Sequence, residues 1–228
     1  MGAYVNSVSI VDYGSGNLRS VYNAVKQILT KKTLCSKVLV TNNIKELNKS
    51  SHFILPGVGS FKGCLKGVYS KPGLFECLEE NIIHKKKAFL GICVGMQMLA
   101  QSGFEGGKSK GFGWIDGDVK LLSVKDKNLK IPHIGWNRII FNNDHPFISF
   151  WKKNTRVNLN KEINAYFVHS YIFDTKFIKD QLLKSNYGNY FTAMVGKENI
   201  LGTQFHPEKS QKFGLDFLNA FINWDLNL

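Results

Sequence analysis

One short stretch constrains this chain more than any other. Ala88-Phe89-Leu90-Gly91-Ile92 is an apolar run broken by a single glycine, and it reads as the end of a buried strand. Val94 to Ala100 reads as the start of a helix. Between them, Gly91-Ile92-Cys93-Val94-Gly95 carries a cysteine with glycine two residues away on each side, the cysteine form of a strand-turn-helix nucleophile elbow. A turn this sharp strains the backbone and brings neighbouring chain close, so it needs residues without a Cβ. A thiol at a helix N-terminus also feels the positive end of the helix dipole, which favours the reactive thiolate. A buried structural cysteine would leave the same local pattern. The rest of the chain must therefore supply a base and an oxyanion site.

A length of 228 residues suits one α/β domain with a full core. No apolar run is long enough to predict a membrane span. Met1 to Ser9 lacks the basic start and apolar core of a signal peptide, so a cytoplasmic location is expected. Cys35, Cys64, Cys77 and Cys93 show no CxxC and no metal-ligand spacing, so neither a metal nor a disulfide framework is expected. Three of them read as packing residues and Cys93 as chemical.

The net charge is +13, yet 27 of the 30 basic residues are lysines; only Arg19, Arg138 and Arg156 are arginines. Arginine is the usual residue for bidentate phosphate and base contacts. The lysines are scattered, and 21 asparagines accompany them, as an AT-rich coding sequence would produce. The charge reads as a solvated surface, and no nucleic-acid partner is expected.

Along the chain, strand and helix alternate. Val8–Val11 reads as a strand, and Asp12–Asn17 as a turn with Asn17 as helix N-cap. Leu18, Val21, Val25, Ile28 and Leu29 then recur at helical spacing through Thr30. Gly14-x-Gly16 lacks the third glycine of a dinucleotide fingerprint and the Lys-Ser/Thr of a P-loop. Lys37–Thr41 predicts a strand, Asn43–Lys49 a short helix, His52–Leu55 a strand and Gly73–His84 a helical region. Pro56-Gly57-Val58-Gly59 follows the His52–Leu55 strand, and its glycines allow backbone N–H groups to face a ligand. This order predicts a doubly wound, mostly parallel sheet with ligands beyond the carboxyl ends of its strands, where Cys93 and the 56–59 loop both fall.

From Gly103 onward the pattern changes to a glycine-rich loop and short strands: Val119–Val124, Arg138–Phe141, Tyr166–His169, Phe191–Val195 and Ile200–Gln204. These predict an antiparallel portion at the edge of the main sheet. Asn142–Lys161 reads as polar loop, and Gln211–Trp224 as a last helix burying Phe213, Phe217, Leu218, Phe221 and Ile222.

A thiolate needs a base, and the base needs orienting. His52 in an apolar strand, His84 beside lysines and His145 in a polar loop read as structural or solvated. His206 stands apart, within Gln204-Phe205-His206-Pro207-Glu208 directly after a strand. Residues i and i+2 of an extended segment share a face, so Glu208 can accept from the imidazole Nδ1–H and leave Nε2 for the thiol. Cys93, His206 and Glu208 form a candidate triad.

Gly91-Ile92-Cys93-Val94-Gly95-Met96-Gln97 together with Gln204-Phe205-His206-Pro207-Glu208-Lys209-Ser210 resembles the class I (triad) glutamine amidotransferases. Asp12–Asn17, Pro56–Gly59, His133-Ile134-Gly135-Trp136-Asn137 and Tyr166-Phe167-Val168-His169-Ser170-Tyr171 narrow the resemblance to the glutaminase subunits of imidazole glycerol phosphate synthase, over essentially the whole chain. The resemblance implies a single class I glutamine amidotransferase domain over residues 1–228, working without a cofactor. It implies that Cys93 attacks the glutamine amide while His206, held by Glu208, shuttles protons. Val94 N–H and the loop of Gly57, Val58 and Gly59 would hold the oxyanion. Gln97, Glu105, Ser170 and Tyr171 would bind glutamine.

The implied partner is a (β/α)8-barrel cyclase, met through Asn17, Trp136, Asn137 and Tyr166. There ammonia would convert the ribulosyl-formimino-aminoimidazole nucleotide PRFAR to imidazole glycerol phosphate, in histidine biosynthesis. Val94 stands where the family usually has leucine, and the 106–111 loop is rich in glycine and lysine. The same chemistry feeding a synthase of bacterial surface sugars, a non-catalytic docking subunit, and a cysteine peptidase remain as alternatives.

Overall fold

The computed structural model describes residues 6–29, 35–126, 128–155, 157–158, 161–224 and 226, without the side chains of 6, 35 and 36. The first half alternates as expected: β1 (Asn6–Val11), α1 (Leu18–Leu29), β2 (Cys35–Thr41), α2 (Ile44–Leu47), β3 (His52–Gly57), α3 (Phe61–Tyr69), α4 (Leu74–Glu79), β4 (Ala88–Cys93) and α5 (Val94–Gln97). The second half holds β5 (Ser102–Gly103), β6 (Ser109–Lys110), β7 (Gly117–Leu121), β8 (His133–Arg138), β9 (Ile140–Phe141), α6 (Pro146–Asn154), β10 (Asn164–His169), β11 (Tyr171–Thr175), β12 (Gln181–Tyr187), β13 (Asn189–Lys197), β14 (Ile200–Thr203) and α7 (Gln211–Ile222).

The main sheet has eight strands in the order β2-β1-β3-β4-β14-β13-β12-β9. Its first five run parallel, and the last three continue it antiparallel. The expected mostly parallel α/β architecture is observed, and the antiparallel portion is partly an extension of the same sheet. Two smaller sheets, β10-β8 and β11-β7-β5-β6, complete the second half. Strands β3, β4 and β14 are buried at every residue, which explains their mostly apolar sequences. Helix α1 buries Val21, Ala24, Val25 and Ile28 and packs on α7, which also meets α6. Among the described residues no helix is long and apolar enough to cross a membrane.

Two helices depart from the sequence reading. Residues 142–161, read as loop, contain α6. Pro146 opens it at a position that needs no N–H donor, His145 Nδ1 accepts from Phe147 N (3.1 Å), and Trp151 Nε1 donates to Asp216 Oδ2 of α7 (2.8 Å). Only Phe147, Ile148 and Trp151 of this helix are buried, too sparse a pattern to stand out among polar neighbours. Helix α3 was not anticipated either. Its Phe61, Cys64, Leu65 and Val68 face the core, but Gly63 and Gly67 dilute its helical character. The sequence reading also omits strands β5, β6, β11 and β12 and most of β8; elsewhere the differences are of boundary. The helix expected over 94–100 is α5 followed by turns, and the 73–84 region is α4 followed by a π-helical turn over 80–84. The strand read as Arg138–Phe141 divides between β8 and β9 in different sheets. Thr30, the expected end of α1, lies outside the described residues.

The glycines around Cys93 are a packing requirement. A Cβ at Gly95 would lie 1.9 Å from the Leu55 carbonyl oxygen, one at Gly91 2.5 Å from the Gly95 oxygen, and one at Gly57 2.4 Å from the Gly95 nitrogen. Strands β3 and β4 and the start of α5 therefore touch backbone to backbone. Gly95→Ala is expected to cost about 3 kcal/mol of stability or more, through forced backbone movement, as read by urea unfolding.

Candidate active site

Cys93 ends β4 with φ 56° and ψ −112°, a left-side conformation that a cysteine adopts only when its surroundings enforce it. Neighbouring β3 pairs Gly57 with Cys93, so the 56–59 loop emerges on one side of the thiol. Neighbouring β14 pairs Thr203 with Ile92, so Gln204 to Glu208 emerge on the other. His206 and Glu208 thus reach a cysteine more than a hundred positions earlier because β4 and β14 are parallel neighbours.

His206 is buried and pairs through Nδ1 with Glu208 Oε1 at 2.9 Å; the Glu208 side chain is buried as well. The i, i+2 geometry read from sequence is present, although Pro207–Lys209 forms a 3-10 turn rather than a strand. Burial by itself lowers the His206 pKa. Hydrogen bonds to Cys93 and Glu208, and the charges of both groups, outweigh it and push the value up to about 10.

A cavity of about 310 Å³ opens over the thiol, lined by Val58, Gly59, Cys93, Val94, Gln97, Glu105, Ser170, Tyr171 and His206, with Pro132, Val168, His169 and Lys209. Of the residues expected there, only Gly57 and Glu208 are not on its wall: Gly57 packs behind against Val94 and Gly95, and Glu208 backs His206. Gln97 is buried, its Nε2 donating to the Tyr171 carbonyl and to Gln204 Oε1, both at 3.0 Å. Glu105 Oε2 accepts from Phe61 N at the start of α3 (2.7 Å). The carbonyls of the 56–59 loop are held from behind: Tyr13 O–H donates to Pro56 O (2.7 Å), and Ser15 Oγ (2.8 Å) and Cys64 Sγ (3.3 Å) donate to Val58 O. Cys64 and Cys77 are free thiols in the core, as read for packing residues; the side chain of Cys35 lies outside the described residues.

Asn17, Trp136, Asn137 and Tyr166 are not on the cavity wall. Tyr166 stands opposite Trp136 across β10 and β8, with ring centroids 5.8 Å apart. Trp136 is 48% exposed and Ile134, on the same face of β8, 60%. The Asn17 carbonyl accepts from Val21 N (3.2 Å), as its helix-start position predicts.

Three residues were quoted within motifs but given no role by the sequence reading. Gln204 accepts from Gln97 and donates through Nε2 to Cys93 Sγ at 3.7 Å. Lys209 lies at the cavity with its ammonium 5.8 Å from the Tyr166 ring centroid. His169 is a buried histidine on the wall. Spacing alone could not single them out, since each depends on which strands are neighbours.

The Glutamine amidotransferase class-I family matches residues 9–223. This chain belongs to that family. It is 41% identical over 217 residues to the imidazole glycerol phosphate synthase subunit HisH of Brucella melitensis, covering 95% of this chain and 98% of the relative. It is also 41% identical over 221 residues to the subunit HisH of Zymomonas mobilis, covering 96% and 97%. A crystal structure of a glutamine amidotransferase superposes with a TM-score of 0.65 at 15% identity, over 93% of this chain and 97% of the other, a likeness of fold.

The raised His206 pKa has a consequence for stability. A histidine near 6.5 when unfolded and near 10 when folded stabilises the fold fully below pH 6.5, and the contribution is lost as pH rises toward 10. Glu208→Gln removes one of the charges responsible. Its stability deficit against the unsubstituted chain is expected to be on the order of 2 kcal/mol at pH 6 and to shrink steadily toward pH 10 in urea titrations.

Proposed function

We propose that this chain is the glutaminase subunit of an imidazole glycerol phosphate synthase, releasing ammonia from glutamine for a (β/α)8-barrel cyclase in histidine biosynthesis. One observation carries the reading: Cys93, His206 and Glu208 are assembled at one cavity in a chain 41% identical, nearly end to end, to curated HisH subunits.

In this reading the Cys93 sulfur attacks the glutamine side-chain carbonyl carbon. The resulting oxyanion is held by Val94 N–H at the start of α5 and by the backbone of Gly57, Val58 and Gly59. His206, protonated at Nε2 and oriented at Nδ1 by Glu208, gives its proton to the leaving nitrogen, and ammonia departs. Water then attacks the glutamyl thioester, His206 takes its proton, and glutamate is released. Gln97, Glu105, Ser170 and Tyr171 bind the substrate. Gln204 Nε2 donates toward the sulfur and fixes its direction. No cofactor or metal enters these steps.

The cyclase docks over Asn17 and the outer-face pair Trp136 and Tyr166, with Asn137 behind them on the inner face of β8. In support, Ile134 and Trp136 leave an apolar face open on β8, and Val58 of the oxyanion loop is itself 42% exposed. The reaction is placed in the cytoplasm.

In the complex with the cyclase, Cys93→Ala is expected to lower glutamine-driven synthesis from PRFAR by on the order of 10⁴-fold or more, and to leave synthesis from ammonium salts unchanged. Equal loss from both nitrogen sources, or no glutamate release stimulated by PRFAR in the unsubstituted complex, would remove the assignment.

A further inference from the structure

His133 and His169 face each other directly across β8 and β10, and neither has a part in the triad chemistry. Both are buried. Their rings lie among Phe167, Tyr187 and Phe191: His133 stacks 4.1 Å from Tyr187 and 5.2 Å from Phe167, and His169 sits 5.0 Å from Phe191.

The hydrogen bonds of this pair can run in one direction only. His169 Nδ1 lies 3.0 Å from the Tyr171 carbonyl, which can only accept, so His169 carries its proton on Nδ1. His169 Nε2 is then an acceptor and takes the proton of His133 Nδ1, 3.0 Å away. His133 Nε2 is left as an acceptor facing Asn137 Nδ2 at 3.4 Å. The Asn137 amide is oriented independently, because its Oδ1 accepts from Arg138 N (2.7 Å) and its Nδ2 donates to Asn186 O (2.7 Å). A donor-only group closes one end and an acceptor-only group the other.

This excludes the role that a histidine beside a nucleophile first suggests. Passing a proton along the chain would require Asn137 to lose one and a peptide carbonyl to gain one, and neither group does so in water. What the chain does is hold the Tyr171 carbonyl, which also takes Gln97 Nε2 at 3.0 Å, while the preceding Ser170 carbonyl takes Leu122 N at 2.8 Å. The peptides on both sides of Tyr171 are therefore pinned, on a cavity wall 170–171 shares with Cys93.

We propose that His133 and His169 are positioning residues for glutamine, a neutral, direction-locked chain from Asn137 to the Tyr171 carbonyl that holds the 170–171 backbone in its substrate-binding attitude. The role rests on the reading of this cavity as the glutamine site. Because β8 alternates, its inner face carries His133 and Asn137 while its outer face carries Ile134 and Trp136, so one strand joins the open apolar face to the pocket wall.

The first test needs no substitution of the pair. In ¹⁵N-histidine NMR of the chain, both rings are expected as neutral Nδ1–H tautomers from pH 5 to pH 8. Burial lowers the His133 pKa to about 4, and burial together with His133 lowers that of His169 to about 3. An Nε2–H tautomer at either ring, or titration of either within that range, overturns the proposal. The second test is kinetic, in the assembled complex. His133→Leu is expected to raise the glutamine KM about tenfold with kcat and the pH profile little changed, and His133→Asn, which restores an N–H donor toward His169, to recover most of the loss. An unchanged KM, or a loss confined to kcat with an altered pH profile, overturns it. Absence of glutamine hydrolysis in the unsubstituted complex would remove the glutaminase reading and this role with it, whereas wrong tautomers alongside normal hydrolysis would remove this role alone.

Discussion

The contact on which the rest of this structure depends is the backbone-to-backbone meeting of β3, β4 and the start of α5. Gly57, Gly91 and Gly95 each sit where a Cβ would overlap main-chain atoms of a neighbour. That closeness lets Cys93 be held at φ 56°, buried yet on the wall of the cavity. Val94, Val58 and Gly59 line the same cavity as the sulfur. A looser junction would leave a cysteine and two ordinary loops.

Around this junction the molecule is built to immobilise polar groups. The 56–59 loop is tied back through its carbonyls by Tyr13, Ser15 and Cys64. Gln97 and Gln204 fix one another's amides and aim a donor at the sulfur. Glu208 holds His206, and the His133–His169 pair holds Tyr171. In each case a polar atom is satisfied by a partner that also dictates its direction, which is how a site stays organised before a ligand arrives. The two-residue period of β8 then puts an open apolar face and one of these buried networks on opposite sides of a single strand.

Much of this was legible in the residues. The Gly91–Gly95 spacing marked the turn, the i, i+2 spacing marked the pairing of His206 with Glu208, and the alternation of strands and helices up to Gly95 marked the parallel sheet. These signals are local, and local sterics and periodicity act within a few residues. Helix α6 escaped because its three buried residues earn their place only by packing on α7, and α3 because its glycines mask its apolar face. Strands β11 and β12 escaped because their pairing partners are distant and their own patterns are mixed.

By itself the sequence determined the turn around Cys93 and the pairing of His206 with Glu208, since each follows from the chemistry of residues a few positions apart. Only the tertiary structure decided that Cys93 and His206 meet at one cavity, because that depends on β14 inserting beside β4 after a long excursion through the second half of the chain. It alone gave His133 and His169 a direction, because the proton position on a histidine is set by what lies at either end of its hydrogen bonds. Those ends, Asn137 and the Tyr171 carbonyl, are brought together by strand pairing and not by sequence spacing.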